Sequence, residues 1–469
     1  MEETPHPLTD VRPLDAQGTA KAIPPTAKGW RRLPLLATPA KLVPVAYSFA
    51  DQALAVGGGF LVNVALARTQ TKEEYGLFAL SYSVFTFLLA LYYAALLEPY
   101  TVYASGRYHQ RLSAYLRLMV RTNVVLCVLL TLTLSLSCLL LTWIAPQLLP
   151  RASVGLALTA GILLSGYFLR RIFYVQRQPA FAAQSSLVFF VVLVGALWLL
   201  ERAHRIDSFT VFLALGLGWI VAGTALGRRL QFGEPTQPFL ASEPGYWGEH
   251  WKYSKWVLAT AFVFQFTHQG YYWLVGGFLS AAEVANLRAM YLLVGPVEQV
   301  FIALSYLIVP ALSAHFAAKR MGDFLALWKR YSLVTLVISG LYAVVIRIVG
   351  RYLVHVLYAG KYDGLAPYLF LLTLVPVVMW VGATMGHALN AVEKPHFVFW
   401  AYIASGAATL FFGVPLVIHL GLWGAVYGML LSSVAYTVAL VISFLLRFRR
   451  EWRELVSIRL RKAGEFQSS

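Results

Sequence analysis

The chain has 469 residues, of which 59% are hydrophobic and only 13% charged, with a mean hydropathy of +0.66. That is more apolar surface than a soluble core of this length buries, which excludes a soluble enzyme or binding domain and defines a polytopic membrane protein. The net charge of +17 invites nucleic-acid binding, but the charges sort by membrane side and so argue against it.

Residues 1–40 are rich in Pro, Thr and Ala and show no apolar periodicity. They read as a flexible cytoplasmic tail, and with no apolar h-region they do not form a signal peptide. Apolar segments long enough to cross a bilayer follow at 44–68, 76–104, 119–144, 153–173, 180–200 and 209–227, and again at 256–279, 284–312, 332–350, 367–390, 397–418 and 422–446. The expected class is an all-α polytopic membrane protein of about 12 transmembrane helices. An N-terminal six-helix bundle occupies 41–228, a cytoplasmic linker 229–255 and a C-terminal six-helix bundle 256–446. In the tail, 447–469, Trp452, Leu455, Val456 and Leu460 share one helical face amid basic residues, the pattern of an interfacial amphipathic helix.

The punctuation of the first half returns in the second after about 210 residues. Glu74, Pro99, Arg121 and Gln178-Pro179 are answered in the same order by Glu283, Pro310, Arg330 and Lys394-Pro395. Four matches in one order at a nearly constant offset indicate duplicated halves, hence two bundles related by a pseudo-two-fold axis, an architecture characteristic of transporters. With the N-terminus inside, about 29 of the 38 Lys and Arg fall on the cytoplasmic side, including Arg31-Arg32, Arg107, Arg170-Arg171 and Arg228-Arg229. Both termini are then cytoplasmic. Cys127 and Cys138 lie on one predicted helix, about 16 Å apart by the helical rise, too far to bridge.

The sequence has no GxxxxGK[ST] loop, no HExxH or paired CxxC, and no GxSxG elbow, so neither nucleotide-driven nor zinc or serine chemistry is indicated, and no cofactor is expected. The predicted loops are short. A membrane glycosyltransferase or polymerase would need a carboxylate or His cluster on a sizeable loop, and none is found.

Several runs resemble a known family. Asp51-Gln52-Ala53-Leu54, Gly57-Gly58-Gly59-Phe60, Leu66-Ala67-Arg68 and Glu73-Glu74-Tyr75-Gly76-Leu77-Phe78-Ala79-Leu80 resemble the first two helices of bacterial polysaccharide transporters. Leu357-Tyr358-Ala359-Gly360-Lys361-Tyr362 is similar to the family's outer loop, and Gly386 to Asn390, Lys394-Pro395 and Gly421-Leu422-Trp423-Gly424-Ala425 to its last three helices. These are the Wzx-type lipid-linked oligosaccharide flippases of the multidrug/oligosaccharidyl-lipid/polysaccharide (MOP) exporter superfamily. Thr69-Gln70 departs from the family's usual Leu-Gly pair.

The resemblance implies two facing bundles around a central cavity in the bacterial cytoplasmic (inner) membrane, moving a polyprenyl-pyrophosphate-linked oligosaccharide between leaflets by alternating access, with an ion gradient as a source of coupling. It implies as partners the lipid-linked glycan, membrane lipid, a polysaccharide polymerase and chain-length proteins, and no nucleic acid. A multidrug and toxin-type exporter stays open as an alternative, as does a peptidoglycan lipid-precursor flippase, which usually has fourteen spans. For the cavity the sequence offers Asp51, Gln52 and Asn63 on the first helix and Gln265, His268, Gln269 and Tyr272 on the seventh, a polar stripe that lipid would leave unpaired. Such stripes also serve as interhelical packing glue. Arg68 and Arg288 are candidates for the anionic headgroup, since guanidinium pairs with phosphate, although each also reads as an interface anchor. Asp51, Glu98 and Glu298 are ion-coupling candidates because an acid within a span is costly to ionise. Asp51 and Glu98 lie at similar depth, close enough for a paired site.

Overall fold

The computed structural model describes residues 39–105, 108, 111–145, 150–230 and 246–467. Most of the expected tail at 1–40, Arg31-Arg32, Arg107 and most of the linker lie outside the described residues. The chain divides at Tyr47/Ser48, and the architecture below is that of Ser48–Ser469.

Among the described residues ten helices are long and apolar enough to cross a membrane. The last, His396–Arg449, holds two spans, because the backbone turns at Gly421 (φ 60°, ψ −133°). Tyr246–Phe278, whose Glu249, Lys252, Lys255 and polar stripe lower its hydropathy, supplies the twelfth. The first four are α1 (Pro39–Thr69), α2 (Lys72–Tyr92, a π-helical turn Tyr93–Leu97, then Glu98–Ser105), α3 (Leu112–Ile144) and α4 (Arg151–Val175). Then come α5 (Pro179–Arg202), α6 (Ser208–Gly227), α7 (Tyr246–Phe278) and α8 (Ala281–Leu292, continued as Gly295–Ala317). The last four are α9 (Met321–Tyr358), α10 (Ala366–Ala391), α11 (His396–Ala408 and the π turn Thr409–Gly413, running on to the break) and α12, from Gly421 to Gln467. The helical backbone therefore continues through the amphipathic tail, whose side chains beyond Arg449 lie outside the described residues.

The duplication read from the sequence reappears as duplicated packing. In the first half α4 packs on α2, α3, α5 and α6, and α5 on α6; in the second, α10 packs on α8, α9, α11 and α12, and α11 on α12. Helix starts repeat as well. Thr71 Oγ1 accepts from the backbone N–H of Glu74 (3.2 Å) to begin α2, and Ser280 Oγ accepts from that of Glu283 (3.2 Å) to begin α8. Each cap satisfies an N–H that the first helical turn leaves unpaired. Glu74 does a second job. Its carboxylate accepts from the backbone N–H (3.0 Å) and hydroxyl of Ser208, where α6 begins.

The two bundles meet along α2, which packs against α7 and the first part of α8. Pro99 has no N–H to give the Ala95 carbonyl four residues back, and that carbonyl accepts from Ser254 Oγ of α7 (3.3 Å). Nearer the other end Trp273 Nε1 donates to Ser83 Oγ (2.8 Å). Where α7 enters, His250 sits buried among Tyr103, Tyr115 and Tyr246 with its Nε2 2.9 Å from the Tyr115 hydroxyl. The α11–α12 turn needs two glycines. Gly421 takes the left-handed backbone, and a Cβ on Gly424 would come within 1.8 Å of the Leu416 carbonyl oxygen.

Candidate functional site

Between the bundles, Arg288 of α8 reaches the N-terminal half. Its Nε donates to Asn63 Oδ1 on α1 (2.9 Å), an atom that also accepts from the Tyr75 hydroxyl on α2 (3.1 Å). Asn63 is oriented from its own helix, because its Nδ2 donates to the Gly59 carbonyl (2.7 Å). The guanidinium lies over the Tyr82 ring at 5.0 Å and 5.9 Å from the Tyr272 ring. Arg288 is only partly buried, and among the described residues no carboxylate pairs with it. An amide and aromatic faces hold the cation in place without cancelling its charge.

The contacts continue along α8. The Tyr272 and Tyr291 rings meet edge-on at 6.5 Å, and the Tyr291 hydroxyl donates to Glu298 (2.7 Å), which stands in the first turn after the α8 interruption. Glu298 has no ion-pair partner among the described residues and Tyr291 is its hydrogen-bond donor. Arg288 and Glu298 are thus linked through Tyr272 and Tyr291 by a chain of ring and hydrogen-bond contacts.

The other acids are placed differently. Asp51 is fully buried in the N-terminal bundle and accepts four hydrogen bonds: from Arg170 Nε (2.8 Å) and its second nitrogen (2.7 Å), from the Tyr174 hydroxyl (2.7 Å) and from Ser186 Oγ (2.5 Å). Arg170 is itself 5% exposed, so this is a buried, bidentate and fully partnered ion pair. Glu98 is exposed and accepts from the Tyr253 hydroxyl (3.2 Å). The expected approach of Asp51 and Glu98 is therefore replaced by separate partners on different helices.

Of the remaining candidates, Gln52 is exposed. Gln269 Nε2 donates to Gln265 Oε1 within α7 (3.3 Å), and the His268 ring rests on Phe264 at 4.2 Å. His268 also borders a cavity of about 40 Å³ inside the C-terminal bundle, together with Tyr271, Ser405 and Ser432. Arg68 is exposed at the end of α1, where it donates to the backbone carbonyls of Leu357 (2.7 Å) and Val356 at the end of α9. Lys361 answers in reverse, donating to the carbonyls of Ala67 (3.3 Å) and Gln70. Each half thus caps a helix C-terminus of the other with a cation. Ala359 (φ 52°) and Gly360 (φ 80°) end α9 and carry Lys361 and Tyr362 onto the α1–α2 turn, where Lys72 lies over the Tyr362 ring at 5.0 Å. The molecule is closed at this end.

Sequence reasoning missed Tyr75 and Tyr82 as part of the Arg288 group, though Tyr75 stands in the Glu73–Leu80 run. It also missed Tyr174 and Ser186 as partners of Asp51. The signal for Arg170 was present, as an arginine inside the apolar run of α4.

No protein-family model and no curated protein matches the sequence. Solved structures do. The chain is similar to a multidrug resistance MATE-family transporter of the MOP superfamily in an inward-facing conformation (TM-score 0.74, 12% identity, 85% of this chain and 95% of that one). It is similar to the lipid II flippase MurJ in an inward closed conformation (TM-score 0.65, 13% identity, 85% and 87%). A MATE-family transporter in an outward-facing conformation also matches (TM-score 0.61, 11% identity, 87% and 95%). The chain has the fold of the MOP-superfamily transporters, two facing six-helix bundles.

Proposed function

We propose that the protein moves a polyprenyl-pyrophosphate-linked oligosaccharide from the inner to the outer leaflet of the bacterial cytoplasmic membrane. The observation that carries this reading is Arg288, a cation between the bundles whose charge no carboxylate among the described residues neutralises and whose neighbours are an amide and tyrosine rings. A pyrophosphate supplies the missing anion, and aromatic faces suit sugar rings. The fold supports it too, since one of its members is a lipid II flippase. In this reading the closed α1–α2 end is the outer face, the bundles rock between inward-open and outward-open states, and the lipid tail stays in the bilayer. Of the three acids weighed for ion coupling, Glu298 and Glu98 each accept from one tyrosine hydroxyl, against four donors on Asp51, and Glu298 is the less exposed of the two. A polysaccharide polymerase and chain-length proteins are the partners this activity calls for.

Multidrug export is the second reading, favoured by the MATE-family transporters of the same fold. Arg288 separates the two, because an unneutralised guanidinium repels a cationic drug. Purified protein should bind a polyprenyl-pyrophosphate sugar saturably, with an affinity that falls as salt rises, and Arg288→Gln should weaken that binding about tenfold or more, as loss of a charged hydrogen-bond partner does. Saturable binding of cationic dyes with none of the anionic glycolipid would overturn the proposal.

A further inference from the structure

In the N-terminal bundle α4 packs against both α3 and α6, and on a face with exposed Val124, Val128 and Ile220 a groove of about 650 Å³ lies open between those two walls. Its lining is almost wholly apolar, with Val124 and Val128 from α3, Leu169 and Ile172 from α4, and Trp219 and Ile220 from α6. The walls are not simply loose. Gly161 and Gly166 on α4 are pressed against Cys127 and Trp219, so closely that a Cβ on either would come within 2.6 and 2.2 Å. Gly223 and Gly227 on α6 also line the groove, yet a Cβ there would meet nothing within 4 Å. The open volume is therefore a feature of this face, bordered by well-packed backbone.

One end of the groove is basic. Val120 lines it in the first third of α3, next to Arg121; Gly227 and Leu230 line it at the end of α6, with Arg228 and Arg229 between them. Arg229 packs over the Phe181 ring at 5.9 Å. Arg121 and Arg228 are exposed, and among the described residues their side chains make no ion pair or hydrogen bond. Arginine at a helix end needs only an interface with water and lipid headgroups. Two unpaired arginines at the mouth of an apolar groove match something more specific, an amphiphile with a long apolar chain and an anionic head.

We propose that this groove is a binding site for an anionic phospholipid, with an acyl chain lying along α4 between α3 and α6 and the phosphate held by Arg121 and Arg228. Charge complementarity selects an anionic lipid over a zwitterionic one, at about fivefold per arginine near the membrane surface. The site is on the outer surface of the N-terminal bundle, away from Arg288, and does not depend on what the protein transports.

The test is native mass spectrometry of the purified full chain titrated with phosphatidylglycerol and, separately, with phosphatidylcholine of the same acyl chains. The wild type should retain phosphatidylglycerol preferentially. Arg121→Gln with Arg228→Gln should remove most of that preference, and Gly223→Leu, which fills the groove where nothing obstructs a side chain, should lower retention of both lipids. Both sets of changes lie on exposed or open positions, and the wild-type melting temperature serves as the check on folding. Equal retention of the two lipids by the wild type, or unchanged phosphatidylglycerol retention in Gly223→Leu, would overturn the proposal. So would displacement of phosphatidylglycerol by a polyprenyl phosphate at equal concentration, which would make the groove a carrier-lipid site instead.

Discussion

Gly76 on α2 lies against Ala281 at the start of α8, so close that a Cβ on residue 76 would stand 1.7 Å from the Ala281 carbonyl oxygen. The two residues belong to opposite bundles, and their approach is part of what closes the α1–α2 end. Since no side chain fits there, closure at this point requires glycine.

Gly76→Ala should therefore hold this end apart while leaving each bundle intact. Spin labels at Thr69 and Gly364, in the turns that the closed end brings together, should report a longer distance in the variant than in the parent. An unchanged distance at normal membrane level would show that the contact yields without opening the end.

Arg68 and Lys361 secure the same end by capping each other's helix carbonyls across the bundles. A cation at a helix C-terminus contributes about 0.3–1 kcal/mol at an exposed site. Arg68→Gln and Lys361→Gln should each shift the closed-to-open equilibrium by about two- to fivefold, measured as the ratio of the populations at the two label distances. No shift in the double variant would show that the capping is incidental.

Asp51 and Arg170 form a different kind of pair, buried and fully hydrogen-bonded. Removing one partner strands the other charge, at a cost of about 3–5 kcal/mol. Asp51→Asn should lower the melting temperature and membrane level sharply. The double variant Asp51→Asn with Arg170→Gln should recover much of both, as a neutral hydrogen-bonded pair replaces the stranded cation. Equal damage in the single and double variants would argue instead that the carboxylate itself is required.

The sequence carried much of this fold. Apolar runs of spanning length and the recurring Glu74/Glu283 and Arg121/Arg330 punctuation defined twelve helices in two related bundles, because both signals are local along the chain. The linker boundary was less legible: α7 begins at Tyr246, ten residues before the apolar run at 256, because Tyr246 and His250 pack on aromatics of α2 and α3. Helix pairing across the halves was not legible. The distance from Arg288 to Asn63 spans 225 positions of sequence and that from Asp51 to Arg170 spans 119, and periodicity along one helix does not say which neighbour its polar stripe meets. Arg68 shows the same limit. Its type and position fitted a headgroup ligand, yet it sits on the carbonyls of Val356 and Leu357.

Reconstitution distinguishes an anionic lipid-linked glycan from a cationic drug as the proposed cargo. Proteoliposomes carrying a polyprenyl-pyrophosphate sugar should show protein-dependent loss of that sugar's protection from a membrane-impermeant glycan-modifying reagent, slowed in Arg288→Gln at equal reconstitution. If the sugar stays protected while the same proteoliposomes move a cationic dye, the cargo is a drug-like cation and not a lipid-linked glycan.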